Sequence, residues 1–218
     1  MTQPVLVVIG AGPGLGAAVA RRFDRSGHSV ALASRDETRL EQLGTTLQQE
    51  GITAGWTAVD ITDHDALHAA VTRFGGFSNR IDVLHFNPSA FREKDPLQLT
   101  PAELLEDVGL GVGGLLTAVQ AARPFMSAGA RVIATGSRAS DRPWHRAASL
   151  GVQKAGLRNL VRSVDATLSD HGIRAVTVTV NGTLAAGTPF DPEHVADAIH
   201  DAAGQREEAW QVEVAFDG

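Results

Sequence analysis

The sequence predicts an α/β fold, a doubly wound parallel sheet of seven strands in a single domain. Three observations predict it. Short apolar segments alternate with amphipathic helical segments from one end of the chain to the other, the pattern of βαβ units with right-handed crossovers. Four glycines at alternating positions, Gly10, Gly12, Gly14 and Gly16, stand between the first strand and the first helix. A length of 218 residues with 43% hydrophobic content suits one α/β domain with a substantial core.

Five apolar residues rich in β-branched types, Val5–Ile9, read as a buried first strand, and residues 17–23 after the glycine turn read as a helix. Ser29–Ser34 is the second strand, residues 36–49 a polar amphipathic helix and residues 56–60 the third strand. Thr62-x-x-Asp65 resembles a capping box that opens a helix to Phe74. Residues 81–86 form the fourth strand, and residues 87–99 a loop containing Pro88 and Pro96. Thr100-Pro101-Ala102-Glu103 supplies a cap, a first-turn proline and a capping-box glutamate for a long helix to Met126. Residues 131–135 are strand five, residues 145–169 a second long helix, and Arg174–Val180 strand six. Asp191-Pro192-Glu193 caps a last helix to Ala203, and residues 211–216 close as strand seven. No linker, repeat or low-complexity segment interrupts the series.

Composition excludes several function classes. The net charge of −6 argues against non-specific binding to nucleic acid or an anionic membrane. The chain has no cysteine, which removes disulfides, thiolate metal sites and thiol catalysis together. No apolar stretch is long enough to span a bilayer, and the run at Val5 is too short for a leader, so the expected location is the cytoplasm. Tyrosine is absent altogether.

A strand, a tight glycine turn and a helix start form the geometry that cradles a pyrophosphate. Glycines let the backbone approach the phosphates, and the helix N-terminus presents free N–H groups. Two registers fit, Gly12-x-Gly14-x-x-Ala17 and Gly10-x-x-x-Gly14-x-Gly16, with Leu15 inside the turn. The arrangement is therefore expected to be Rossmann-type, ordered 3-2-1-4-5-6-7, with its ligand at the carboxyl ends of the strands. Loops after Ile9, Ser34, Asp60, Phe86, Thr135 and Val180 would surround one crevice. Near the position where an NAD enzyme carries an acidic residue for the ribose 2′-hydroxyl, this chain has Ser34 followed by Arg35. The planar fork of Arg35 can pair with a 2′-phosphate, so NADP is expected as cofactor. Asp36, one or two positions on, keeps NAD open.

Across nearly its whole length the chain resembles the short-chain dehydrogenase/reductase family. Gly10, Gly14 and Gly16 stand at that family's glycine spacing, and Val59-Asp60-Ile61 looks like the segment that holds the adenine. Residues 84–89 sit where the family has Asn-Asn-Ala-Gly, with Asn87 matching. Thr135-Gly136-Ser137 is similar to the strand end that carries the catalytic Ser, and Lys154 falls on the helix of the Tyr-x-x-x-Lys motif. The resemblance implies that Lys154 holds the nicotinamide ribose, that Ser137 positions the carbonyl, and that a Tyr one helical turn before the Lys passes the proton. Here that position is Leu150, which cannot donate a proton, and Gly111-x-x-Gly114 replaces the usual Asn-x-x-Gly.

His145 is the candidate substitute acid, its ordinary pKa lying near neutrality; the bland alternative is a solvent-facing histidine at a helix start. Ser149 is a weak acid on another helix face. Arg138 and Arg142 can bind an anionic group or lie in a solvated loop. After strand six the chain runs from Asn181 almost directly to the Asp191 cap, so the family's substrate lid is nearly absent. Thr183 and Thr188 are placed to touch the nicotinamide amide or phosphate, or serve only as turn residues. His64 and His68 share a helix face but lack a third metal ligand, so no metal is expected. No Gly-x-Ser-x-Gly elbow points to a hydrolase. In the family the two long helices form a subunit interface, so a homodimer or homotetramer is expected, with Gly113-Gly114 and Ala155-Gly156 allowing close helix contact.

The expected function is a divergent NADP(H)-dependent oxidoreductase acting on a small-molecule substrate, weak or atypical in catalysis. The alternatives are a non-catalytic NADP(H)-binding sensor or partner subunit, and a lyase or isomerase that uses the same crevice without hydride transfer.

Overall fold

A computed structural model of the chain describes residues 3–218. Its strands are β1 (Val5–Ile9), β2 (Ser29–Ser34), β3 (Ala54–Ala58), β4 (Val83–Phe86), β5 (Arg131–Ser137), β6 (Arg174–Val180) and β7 (Glu213–Phe216). They form one parallel sheet in the order β3-β2-β1-β4-β5-β6-β7, as the sequence predicts. The helices are α1 (Leu15–Asp24), α2 (Glu37–Gln49), α3 (His64–Ser78), α4 (Pro101–Val108), α5 (Gly114–Ala122), α6 (Ala148–Leu168) and α7 (Pro192–Ala203).

Alternation along each strand builds the two layers. In β1, Val5, Val7 and Ile9 face a core completed by α3, α5 and α6, while Leu6 and Val8 face a second core completed by α1, α2 and α7. All five β1 residues are buried, which suits a strand covered by helices on both faces. Each fully buried Leu, Val or Phe contributes roughly 1.5–3 kcal/mol of transfer free energy to this arrangement.

Several boundaries differ from the sequence reading, each for a local reason. The third strand ends at Ala58 instead of residue 60, where the Asp60 carboxylate accepts hydrogen bonds from the Thr62 backbone N–H (2.9 Å) and hydroxyl (2.7 Å) and forms a turn. With Thr62 so engaged, the N-cap of α3 is Asp63, which accepts from the Ala66 N–H at 3.0 Å. That helix passes Phe74 and ends at Ser78, closed by Asn79 in the left-handed conformation (φ 53°). The fourth strand starts at Val83, because the Asp82 side chain accepts instead from the Val5 N–H (2.7 Å). The seventh starts at Glu213, since the Gln211 N–H is held by the Gln205 side chain.

The largest departure lies in the long helix after Thr100. The Thr100–Glu103 capping box forms as expected, but the helix is broken by a π segment, Gly109–Gly113, between α4 and α5. Glycine-rich sequence holds the regular ladder weakly there, and the segment packs closely on α6: a Cβ on Gly111 would lie 2.6 Å from Gln153 Oε1 of α6, and the Val112 side chain of the segment lies 3.2 Å from where a Cβ on Gly156 of α6 would stand. The regular helix then ends at Ala122, ahead of Met126.

Candidate active site

The glycine turn follows β1 at the carboxyl edge of the sheet. Its four glycines divide into two kinds. A Cβ on Gly10 (φ +80°) would stand 2.9 Å from Pro88, and one on Gly16 would stand 2.9 Å from the Ala11 Cα. These two let the turn lie against its own protein neighbours. Gly12 and Gly14 would meet nothing within 4 Å and face open space. Leu15, buried, anchors the start of α1. No side chain caps that helix at Gly14; the Ala17 N–H donates to Gly12 O (2.9 Å), and the N–H groups of Leu15 and Gly16 ahead of it have no partner among the described residues and can meet an anion. Asn87 ties the turn to β4: its N–H donates to Ile9 O (2.9 Å) and its side-chain amide to Gly10 O (3.2 Å).

A cleft of about 840 Å³ opens beside this turn, lined among others by Gly10, Ser34, Arg35, Asp60, Ile61 and Ala90. Ser34 is half-buried at the end of β2, and Arg35 is exposed beyond it, with no hydrogen bond or ion pair to any described residue. Asp36 is committed elsewhere. It caps α2, accepting from the Arg39 N–H at 3.0 Å, and pairs with the Arg39 guanidinium at 3.3 Å. The hydrogen bonds from Thr62, backbone first, and the nearby Arg35 charge hold the Asp60 carboxyl below its ordinary range. Ile61 is buried beside it.

Further along the carboxyl edge of the sheet, outside the lining of this cleft, Ser137 closes β5 and caps a short turn, its hydroxyl oxygen accepting from the Ala139 N–H at 3.2 Å. Lys154 is buried on α6 and donates to two backbone carbonyls, Thr135 O at 2.9 Å and Pro88 O at 3.2 Å. Burial lowers its pKa to about 8. Leu150, one turn earlier, is half-buried. His145 is exposed in the turn before α6 and makes no hydrogen bond with a described residue. Thr183 is exposed and equally unbonded, whereas Thr188 is a turn residue that donates to Ala185 O (2.7 Å) and accepts from the Phe190 N–H (3.1 Å). Arg138 donates to Asn181 O at 3.2 Å. No helix lies between Val180 and Pro192.

The small residues of the two long helices meet partners within the chain: Cβ atoms on Gly113 and Gly114 would contact His64 (3.2 Å) and Phe86 (3.3 Å). His64 lies 3.0 Å from the Thr117 hydroxyl, and no cluster of three metal-ligating side chains exists among the described residues.

Two further polar residues sit at the site. His85, fully buried in β4, has Nε2 at 2.9 Å from the Thr135 hydroxyl and no partner for Nδ1 among the described residues. Burial, and then the Lys154 charge, lower its pKa to about 3, so it is neutral at ordinary pH. Gln153, also fully buried, accepts from the Ala90 N–H (3.0 Å) and donates to the Ala90 carbonyl (2.8 Å). The sequence signals were a titratable residue inside an otherwise apolar strand, and an amide beside Lys154 on the buried helix face.

Fold and crevice together define a dinucleotide-fold protein whose polar groups gather at the carboxyl ends of the central strands. The chain belongs to the short chain dehydrogenase family, which it matches over residues 4–198. It is 30% identical over 219 residues to cis-4-hydroxycyclohexanecarboxylate dehydrogenase of Sinomonas cyclohexanicum, covering 90% of this chain and 88% of that protein. A metagenomic short-chain oxidoreductase crystallised in complex with NADP superposes with a TM-score of 0.86 at 26% identity, over 98% of this chain and 96% of the other. A dehydrogenase/reductase from Sinorhizobium meliloti shares the fold with a TM-score of 0.91 at 21% identity, over 100% and 95%. Among the described residues no helix is long and apolar enough to cross a membrane.

Proposed function

We propose that this protein is a divergent NADP(H)-dependent oxidoreductase that works on a small molecule without a phenolic proton donor. The observation that carries the reading is the contrast at the end of β2: Arg35 stands unpaired at the crevice, while Asp36 is consumed as a helix cap. A cation facing the cleft with its neighbouring acid withdrawn favours a 2′-phosphate over a bare hydroxyl. The solved NADP complex of a relative at 26% identity agrees with it.

In this reading Gly12, Gly14 and the uncapped start of α1 take the diphosphate, with Gly10, Leu15, Gly16 and Asn87 holding the turn in shape. Ser34 and Arg35 take the 2′-phosphate, Asp60 and Ile61 border the adenine, and Lys154 binds the nicotinamide ribose, with Thr183 near the amide. The cofactor supplies hydride when bound. Because Ser137 uses its oxygen to accept from Ala139, its O–H remains free to donate to a substrate oxygen. With Leu150 in the phenol's usual place and no tyrosine in the chain, proton delivery falls to His145 or to solvent admitted through the shortened lid. The exposed mouth is consistent with completion by a second copy in a homodimer or homotetramer. That same loss of the phenol favours one other reading, a non-catalytic NADP(H)-binding sensor.

Titration with NADPH and NADH tests the assignment. Saturable quenching of Trp fluorescence is expected with NADPH, and Arg35→Gln should weaken NADPH about tenfold or more while leaving NADH unchanged. No binding at millimolar NADPH removes the proposal. Turnover over a panel of aldehydes, ketones and enones separates enzyme from sensor.

A further inference from the structure

We infer that Gln153 is a positioning residue for the cofactor crevice, clamping the loop that forms its wall; this rests on the NADP(H) reading above. The side chain is fully buried, yet both ends of its amide are used on a single residue, Ala90, whose N–H it receives at 3.0 Å and whose carbonyl it binds at 2.8 Å. Ala90 lines the cleft together with Pro88, Ser89 and Phe91. The next residue of α6, Lys154, holds Pro88 O of the same loop. Consecutive residues of one rigid helix thus fix two points of the wall, and through Pro88 the wall bears on Gly10 of the glycine turn. No other side chain hydrogen-bonds the backbone of residues 88–92 among the described residues; Arg92 at the loop's end is held through its guanidinium by Glu103, Glu106 and Asp107.

Gly111 is the other half of the device. A Cβ there would lie 2.6 Å from Gln153 Oε1 and 3.2 Å from its Cβ and Cδ, so the amide fits only because position 111 is bare. The two positions compete for one volume, which gives the proposal a signature that general destabilisation does not share.

The test uses the full chain and NADPH as probe. Gln153→Ala should raise the NADPH Kd about tenfold, the effect of two neutral hydrogen bonds, and speed hydrogen exchange at the Ala90 amide. Gly111→Ser in the native background should do the same by displacing the amide. Gly111→Asn combined with Gln153→Ala, which returns an amide to the vacated volume from the opposite side, should recover most of the affinity. A Gln153→Ala variant with unaltered NADPH affinity overturns the inference, as does a double variant no better than the weaker single one. If Gln153→Ala does not fold, Gly111→Ser and the double variant carry the same comparison. Failure of the unmodified protein to bind NADPH sinks the cofactor reading instead, while the exchange rate at Ala90 still reports whether the clamp exists.

Discussion

Substituting alanine at Gly12 and at Gly10 separates ligand space from protein space within one turn. At Gly12 the added methyl meets no atom within 4 Å, and the backbone is not in the left-handed region. Folding stability should therefore stay level or rise slightly, by about 0.4–1 kcal/mol, because alanine restricts the unfolded chain. At Gly10, φ is +80° and the methyl would lie 2.9 Å from Pro88 N and Cγ. Left-handed strain of about 1–2 kcal/mol adds to overpacking of about 1–3 kcal/mol. A loss near 3 kcal/mol lowers Tm by about 6–12 °C in a domain of this size. Circular-dichroism melts and NADPH titrations on the same samples read both quantities. Gly12→Ala should keep its Tm and lose NADPH affinity at least about tenfold, because in the proposed reading its methyl occupies the room through which the backbone meets the diphosphate. A Gly12→Ala protein that binds NADPH like the native chain, or melts as low as Gly10→Ala, refutes the division.

Two pH effects follow from the buried bases. Lys154 titrates near 8 in the fold against an ordinary 10.5, so between those values the unfolded chain binds more protons and stability rises with pH. In urea melts across that window the native chain should gain on Lys154→Met by up to about 1.4 kcal/mol per pH unit; parallel curves would contradict it. His85 stays neutral to about pH 3 where an exposed histidine protonates at 6.5, so stability is lost as pH falls between those values. His85→Phe should flatten that acid limb, and an unchanged limb would mean that other groups set it.

Much of the fold was legible because it rests on periodicities. Val5–Ile9, Ser29–Ser34 and Arg174–Val180 end where their sequence pattern ends, since each is an apolar run closed by a polar or glycine turn. Where a side chain competed with the backbone, the pattern misled. Thr62 looked like a cap but is spent on Asp60, leaving Asp63 to cap α3. The π segment was hidden because the side chain packed against it, Gln153, lies more than forty residues away in the sequence. Of the candidate site, Ser34, Arg35, Asp60, Ile61 and Gly10 do line one cleft, and Lys154 reaches the loop that walls it. The roles of His85 and Gln153 were not legible, because a hydrogen bond across the sheet or between a helix and a distant loop leaves no local spacing.

In the proposed enzyme, Lys154 would also set what remains of the chemistry without a phenol. An ammonium has three hydrogens to give, and two are committed to Thr135 O and Pro88 O. One remains for a ligand, and it persists only while the group is protonated, below about pH 8. A neutral amine has two hydrogens, both already in use. The carbonyls therefore aim the third hydrogen as well as hold the side chain, and in the proposed reading the lysine serves positioning without needing to lower the pKa of a neighbour. Well-placed reactants can contribute roughly 7–11 kcal/mol to a rate, against about 10²–10⁴-fold for a positioned acid. A crevice that keeps the glycine turn, Arg35 and the aimed lysine but lacks the phenol has thus kept the larger contribution. Turnover in the proposed enzyme should accordingly be slow and tied to how readily the substrate accepts hydride before it gains its proton.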